Sequence, residues 1–263
     1  MRIVSWNVNS VRLRLNMVRR ILRKYEPDVL CLQEIKVEND LFPAQAFTRA
    51  GYPHHAIHGQ KGYHGVAVIA RIPLLQTAIH QWGGIDDCRH LRVQIDGDIE
   101  INNFYVPAGG DVPDPKANPK FAHKLRFLRE VAKWFGSRRD ERPRAILVGD
   151  LNIAPLESDV WSHKQLLKIV SHTPVEVAHL ERLQNSLDWV DAVRHFVPPP
   201  EKIYSWWSYR ARDWAAADRG RRLDHIWVTP ALAPGLRAAS IAREVRAWKK
   251  PSDHVPVVVD LDI

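Results

Sequence analysis

Apolar runs of strand length recur along the chain, and most of them stop at a polar side chain. The clearest is AILVGDLNIAP at 145–155, where a run fit for a buried strand meets Gly149, Asp150, Asn152 and then Pro155. Comparable runs predict strands over 2–6, 28–33, 64–71, 99–106, 144–150, 223–228 and 255–261. Apolar positions three and four apart predict helices near 11–25, 119–136 and 176–187. Strands and helices alternate without a Gly/Ser linker, a low-complexity tract or a repeat. The PPP at 198–200 reads as a stiff loop rather than a boundary. The pattern is that of one α/β domain over 1–263.

The polar strand ends carry the chemical interest. In an extended chain alternate side chains share a face, so Asp150 and Asn152 project together while Leu151 turns back to the core. Ligands of open α/β sheets bind beyond such strand ends. The same residues also suit a simple turn. Other strands share the habit. SWNVNS ends in Asn7 and Asn9, CLQE in Gln33 and Glu34, and INNFYVP in Tyr105 before its proline. RLDHIWV opens on Asp224, and PSDHVPV opens on Asp253 and His254. Any one of these fits a solvated strand end. Repeated on five or six strands, they suit a hard divalent cation and a phosphate diester, because carboxylate and amide oxygens ligate Mg²⁺ and amide, phenol and imidazole groups contact phosphate.

Charge and composition narrow the partner. Lys and Arg outnumber Asp and Glu, giving a net charge of +8, which favours a polyanion. Three of the ten tryptophans lie in YSWWSYRARDWAAADRGRR, where aromatics between arginines suit stacking beside phosphates. The two cysteines cannot form a disulfide scaffold, and Cys31 in DVLCLQE reads as a small buried hydrophobe. There is no Cys-x-x-Cys pair and no His-Glu-x-x-His, so no structural zinc site is expected. No apolar run is long enough to span a bilayer and no leader precedes the first strand, which predicts a soluble cytoplasmic protein with no membrane partner.

Eight motifs, SWNVNSVR, CLQEIK, HGVAVIAR, YVPAGGD, LVGDLNIAP, YSWWSYR, RLDHIWV and KPSDHVPV, follow one another in the chain. Together they resemble the exonuclease III family of abasic-site DNA endonucleases, within the endonuclease/exonuclease/phosphatase superfamily. The resemblance runs from residue 2 to about 261. It implies an α/β four-layer sandwich, two packed mixed β-sheets flanked by helices, with the active site at one end of the sheets. It implies in-line hydrolysis of a phosphodiester, with incision 5′ to abasic sites and 3′-5′ exonuclease or 3′-phosphodiesterase action.

The residue roles follow from that resemblance. Glu34 is expected to hold Mg²⁺, for which Mn²⁺ can substitute, with Asn7 beside it. Asp150, Asn152, Asp253 and His254 complete the set of candidate metal ligands. Asp150 orients or deprotonates the water, Asn152 donates to a phosphate oxygen, and Tyr105 contacts the phosphate or the leaving group. Asp253 and His254 point oppositely in an extended segment, so the His254 ring needs a carboxylate from elsewhere, and Asp224 is the family counterpart. Whether Asp150 or His254 is the base stays open. Trp206 walls an abasic-sugar pocket. Arg210 and Lys249, with Arg212, Arg221, Arg222 and Lys250, are candidates for backbone phosphates, while Trp207, Trp214 and Trp248 suit the core. The implied partner is double-stranded DNA with abasic sites or blocked 3′ ends, bound by a monomer at the nucleoid. Two readings compete: a phosphatase on the same scaffold, which should lack the basic Trp-rich loop, and a non-catalytic nucleic-acid-binding member, which should have lost a polar core residue. GGIDDCRHLRVQIDG departs from the family pattern, which leaves Arg89 without an assigned role. His163 and His172, in the loosely conforming stretch after Leu156, are expected to be packing or surface residues.

Overall fold

Strands that read as unbroken apolar runs are covered on both faces, as such runs require. A computed structural model of the protein describes residues Met1–Ile263. Its strands are, in chain order, β1 (Arg2–Asn7), β2 (Val29–Gln33), β3 (His54–His58), β4 (Val66–Ala70), β5 (Gln76–Ala78), β6 (His90–Ile95) and β7 (Ile99–Tyr105). They continue as β8 (Arg144–Asp150), β9 (Val190–Asp191), β10 (Trp206–Trp207), β11 (Gly220–Arg221), β12 (Asp224–Val228), β13 (Leu236–Ile241) and β14 (Val257–Leu261). The helices are α1 (Leu15–Tyr25), α2 (Ala44–Thr48), α3 (Pro119–Gly136), α4 (His163–Leu166), α5 (Pro174–Ser186), α6 (Ala192–Phe196) and α7 (Trp214–Ala217). No helix is long and apolar enough to cross a membrane.

Two six-stranded sheets form, in the orders β13-β14-β1-β2-β4-β3 and β5-β6-β7-β8-β12-β9. Each has one parallel pair at its centre, β1 with β2 and β7 with β8, and antiparallel neighbours around it. The sheets pack face to face over a middle layer of 24 buried residues, among them Ile3, Val29, Cys31, Ile146 and Val148. The outer face of the first sheet is covered by α1, which buries Met17, Val18, Ile21 and Leu22 along one stripe. The outer face of the second is covered by α3 and α5. The result is the four-layer sandwich, an α/β fold of two mixed sheets between helices. Asn103 of β7 reaches across the middle layer, accepting from Gln33 Nε2 (2.7 Å) and donating to the carbonyls of Leu32 (3.1 Å) and Ala67 (3.0 Å).

The predicted runs leave out β3, β5, β6 and β13 and the two-residue strands β9, β10 and β11. The HHAIH of β3 and the LRAASI of β13 lie at sheet edges, where polar side chains are tolerated and the apolar signal thins. The first predicted helix begins at Leu15 rather than 11, because Asn9 and Ser10 take positive φ and the chain turns before it coils.

Arg222 corrects an expectation. It is no phosphate contact but fully buried, forming a two-pronged pair with Asp159 (2.7 and 2.9 Å) and a third bond to Asp191 (2.7 Å). Arg194 adds a second cation on Asp159 (2.5 Å). The cluster pins the loop after β8 to the entry of β12. Burial alone would raise both carboxyls, but Arg222 outweighs it and holds Asp159 and Asp191 below the ordinary range. Replacing Arg222 by Met strands buried carboxylates and should cost about 3–5 kcal/mol in urea unfolding. The wild-type cluster contributes fully above a pH of about 4, the unfolded carboxylate value, and its contribution fades as pH falls through the lower folded values. An Arg222→Met variant should therefore show a shallower acid dependence of stability below that pH. Gly149 gives a second test: its φ is +138°, and a Cβ there would collide with the carbonyl oxygen of Phe104 on β7. Gly149→Ala should lower stability by about 1–3 kcal/mol in thermal unfolding.

Candidate active site

Parallel pairing puts the C-terminal ends of β1 and β2 side by side, and likewise those of β7 and β8. The antiparallel strands β12 and β14 begin where those strands end. One rim therefore collects the last residue of β1 (Asn7), the residue after β2 (Glu34), the last residues of β7 (Tyr105) and β8 (Asp150), the first of β12 (Asp224), and His254 ahead of β14. Tyr105, Asp150 and Asp224 sit in cross-strand register with one another.

Hydrogen bonds join the two sheets at this rim. The Asn7 amide of the first sheet donates to Glu34 Oε1 (2.8 Å) and to Asp150 Oδ2 of the second (2.9 Å). His254 Nε2 stands 3.6 Å from Asp150 Oδ2, and its Nδ1 bonds Asp224 Oδ2 at 2.8 Å. Asp224 in turn accepts from Ser205 Oγ (2.6 Å), while Ser205 Oγ accepts from the Leu223 and Asp224 amides (3.0 Å each). The ring of His254 is thus fixed, with Nε2 turned towards Asp150. The ligating atoms of Glu34, Asp150 and His254 all lie within 4.8 Å of one another. Two hard carboxylates with an amide between them suit a divalent cation of the Mg²⁺ type.

The electrostatics divide the roles. Burial, with Asp224 and Glu34 nearby, pushes the Asp150 carboxyl up to about 7, against the pull of His254 and Asn7. Burial works the other way on His254, but Asp224 and Asp150 overcome it and hold the imidazole up to about 10. While protonated, the ring donates from Nε2 and offers no lone pair there. Burial pushes Glu34 up as well, yet Lys36 (2.8 Å) and Asn7 outweigh it and keep the carboxylate below its usual range. Burial, together with the charges of Glu34 and Asp150, raises the Tyr105 phenol well above its usual value.

Around this core lies a cleft of about 740 Å³, lined by Glu34, Tyr105, Asp150, Asn152, Trp206, Arg210, Asp253 and His254 among others. Lys249 is exposed and is not among its lining residues. Asp253 is held within the same cleft lining: its oxygens accept from Trp206 Nε1 (2.9 Å) and Asn9 Nδ2 (3.1 Å). It steadies Trp206 on the cleft wall. Asn152 reaches the cleft by another route than strand alternation. The strand ends at Asp150, Leu151 is buried, and Asn152 takes a left-handed φ of 54°. Its Nδ2 then donates to Val106 O (2.9 Å) and Asp150 Oδ2 (3.2 Å). Glu34 (φ 50°), Lys36 (φ 52°) and His64 (φ 51°) share that costly conformation at the same rim.

Several supporting residues escaped the sequence. Lys124, fully buried, pairs with Glu176 (2.5 Å) and donates to the carbonyls of Asn152 (2.8 Å) and Ala108 (3.3 Å), so it clamps the exits of β7 and β8. The signal was present: Lys124 falls on the buried stripe of α3 with Phe121, Leu125 and Leu128. Arg89 lies over the Tyr105 ring (4.8 Å to its centroid) and donates to the Tyr105 carbonyl (3.3 Å), held there by Asp87 and His64. His172 packs inside, its Nδ1 on the Ala154 carbonyl (2.6 Å).

Comparison with known proteins places the chain. The model of the endonuclease/exonuclease/phosphatase family matches residues 4–254. Exodeoxyribonuclease III of Haemophilus influenzae is 31% identical over 98% of both chains. Among solved structures, an AP endonuclease from Archaeoglobus fulgidus superposes with a TM-score of 0.93 at 33% identity, covering 100% of each chain. A 3′-5′ exonuclease from Neisseria meningitidis superposes at 0.92 with 30% identity, again over 100% of each chain. With the fold, the converging carboxylates and these full-length matches in agreement, the chain belongs to the endonuclease/exonuclease/phosphatase family, on its exodeoxyribonuclease III branch.

Proposed function

We propose that residues 1–263 act as one catalytic domain of a DNA repair nuclease, a Mg²⁺-dependent phosphodiesterase that incises the backbone 5′ to abasic sites and trims blocked 3′ ends. The observation that carries the reading is the Asp224–His254–Asp150–Asn7–Glu34 chain of contacts across the two sheets. A nucleic-acid binder without catalysis has no need of a buried carboxylate held near neutrality.

Glu34 and Asp150, with the Asn7 amide turned to present its oxygen, would hold the cation, and Mn²⁺ would serve in place of Mg²⁺. Bound there, a divalent ion supplies Lewis-acid polarisation of a phosphoryl oxygen. Asp150, beside His254 and the Asn7 amide, orients the attacking water and takes its proton. Water oxygen bonds to phosphorus as the bond to the 3′ oxygen breaks. His254, kept cationic by Asp224, donates from Nε2 to the phosphate and stabilises its developing charge. On this reading Asp150 is the base and His254 the donor. Tyr105 is held as a neutral phenol and donates to the phosphate or the departing oxygen. Asn152 adds an amide donor, and Trp206 with the apolar Leu166 and Val170 walls a pocket for a sugar without its base. Arg210 on the cleft rim and Lys249 outside it contact backbone phosphates. The protein works as a monomer on double-stranded DNA in the cytoplasm, at the nucleoid.

Trimming at 3′ ends has its own support, since a 3′ phosphatase from Neisseria bound to a product DNA hairpin superposes with a TM-score of 0.91 at 30% identity. The test is a labelled duplex with one abasic-site analogue, beside duplexes with a recessed 3′ end and with a 3′-phosphate. Incision at the analogue with Mg²⁺ and none with EDTA is expected. Cleavage of only the 3′-blocked ends would leave the endonuclease reading without support. Asp150→Asn and His254→Ala should each lower turnover by about 100- to 10,000-fold while DNA affinity in a gel-shift assay stays near wild type.

A further inference from the structure

Segment 83–97, which departs from the family pattern, holds a cysteine that the reaction does not use. Cys88 is part-buried and takes a left-handed φ of 51°, in the loop between β5 and β6. The end of β3 brings His58 to it, and Asp86 precedes it by two residues. A ring nitrogen of His58, a carboxylate oxygen of Asp86 and Sγ of Cys88 all lie within 4.8 Å of one another. The group shares no residue with Glu34, Asp150 and His254.

We propose that His58, Asp86 and Cys88 form a second metal site, selective for a borderline transition ion such as Zn²⁺. Nitrogen, oxygen and sulfur donors together favour Zn²⁺ or Co²⁺ over Mg²⁺, which the catalytic carboxylates suit. A thiolate and a carboxylate supply two negative charges to a neutral imidazole, matching a divalent ion. His58 Nδ1 bonds the backbone carbonyl of His90 at 3.1 Å, which places the ring proton on Nδ1 and leaves Nε2 a lone pair. Such an outer partner is what metal-bound histidines require. Asp86 is exposed, so solvent completes a tetrahedral set. No spacing motif announces the site because its ligands come from different sheets: β3 edges one, and the β5–β6 loop belongs to the other.

The competing reading of Cys88 is a reactive thiol. Burial, with Asp86 and Asp87 close by, pushes that thiol up to about 11, so it carries little thiolate at neutral pH without a cation. An ion bound there would displace the thiol proton and join the flank of one sheet to the other. The same loop carries Asp87 and Arg89, which hold Tyr105, so the site would stiffen one wall of the catalytic cleft.

The probe is Co²⁺, added to the full-length, chelator-stripped protein in excess Mg²⁺. One equivalent should bind with a thiolate-to-cobalt charge-transfer band in the near ultraviolet, and Zn²⁺ should displace it. Cys88→Ser should lose the band. His58→Gln should weaken Co²⁺ binding by at least about tenfold, the lower end of what even an outer partner is worth. Glu34→Gln, which alters only the catalytic group, should keep both band and stoichiometry. Cys31 is fully buried in the middle layer and cannot supply the thiolate. A wild-type protein without the band at several equivalents of Co²⁺, or a band that persists in Cys88→Ser, would overturn the proposal.

Discussion

Asp150 is buried within hydrogen-bonding reach of Asn7 and beside His254, with Glu34 and Asp224 close enough to oppose its charge. A lone carboxylate in such a place would sit protonated, because burial penalises its ionised form. What keeps it near the balance point is that each neighbour arrives from a different strand. Asn7 comes from the first sheet; Asp224 comes from the strand beside Asp150; His254 comes from the approach to β14. Remove the register between strands and no local sequence could assemble this arrangement. The site is thus a property of the packing of two sheets, and the helices matter to it chiefly because they make that packing dry.

Much of the architecture was readable because fully buried strands leave an unmistakable trace. All seven predicted strands correspond to observed ones within a few residues, whereas the edge strands β3, half-buried and His-rich, and β13, more exposed and Ala-rich, left none. The rim was readable for a related reason: an apolar run that stops at a carboxylate marks the point where a strand leaves the core. What periodicity could not show was how the chain behaves after the strand ends. Asn152 was expected on the Asp150 face by alternation, and it arrives there through a left-handed turn. Asp253 accepts from Trp206 and Asn9, partners far away in sequence that nothing local announced. Long-range pairings of single polar residues carry no local signature, as Ser205 and the buried Arg222 also illustrate.

The strained turns at the rim explain an otherwise odd expense of buried charge. Lys124 and Glu176 sit wholly inside the protein, and such a pair is weak evidence for stability. Its ammonium, however, holds the carbonyls of Asn152 and Ala108. Those carbonyls belong to the segments leaving β8 and β7, one of them in a conformation that non-glycine residues avoid. The ion pair reads as a brace for backbone that would otherwise relax, one layer removed from the chemistry.

The cross-sheet bonds of Asn103 to Gln33, Leu32 and Ala67 carry a wider implication. Glu34 is anchored to one slab of the sandwich and Asp150 to the other, so the gap between them is measured by whatever fills the space beneath. Side chains such as Val148, Ile146 and Cys31 therefore act as spacers, and Asn103 as the bolt that stops the slabs from sliding. In an interior packed as densely as a crystal, trimming one spacer by a methyl group would retune the mouth above it without touching any reacting atom. Catalytic geometry in this molecule is calibrated from underneath.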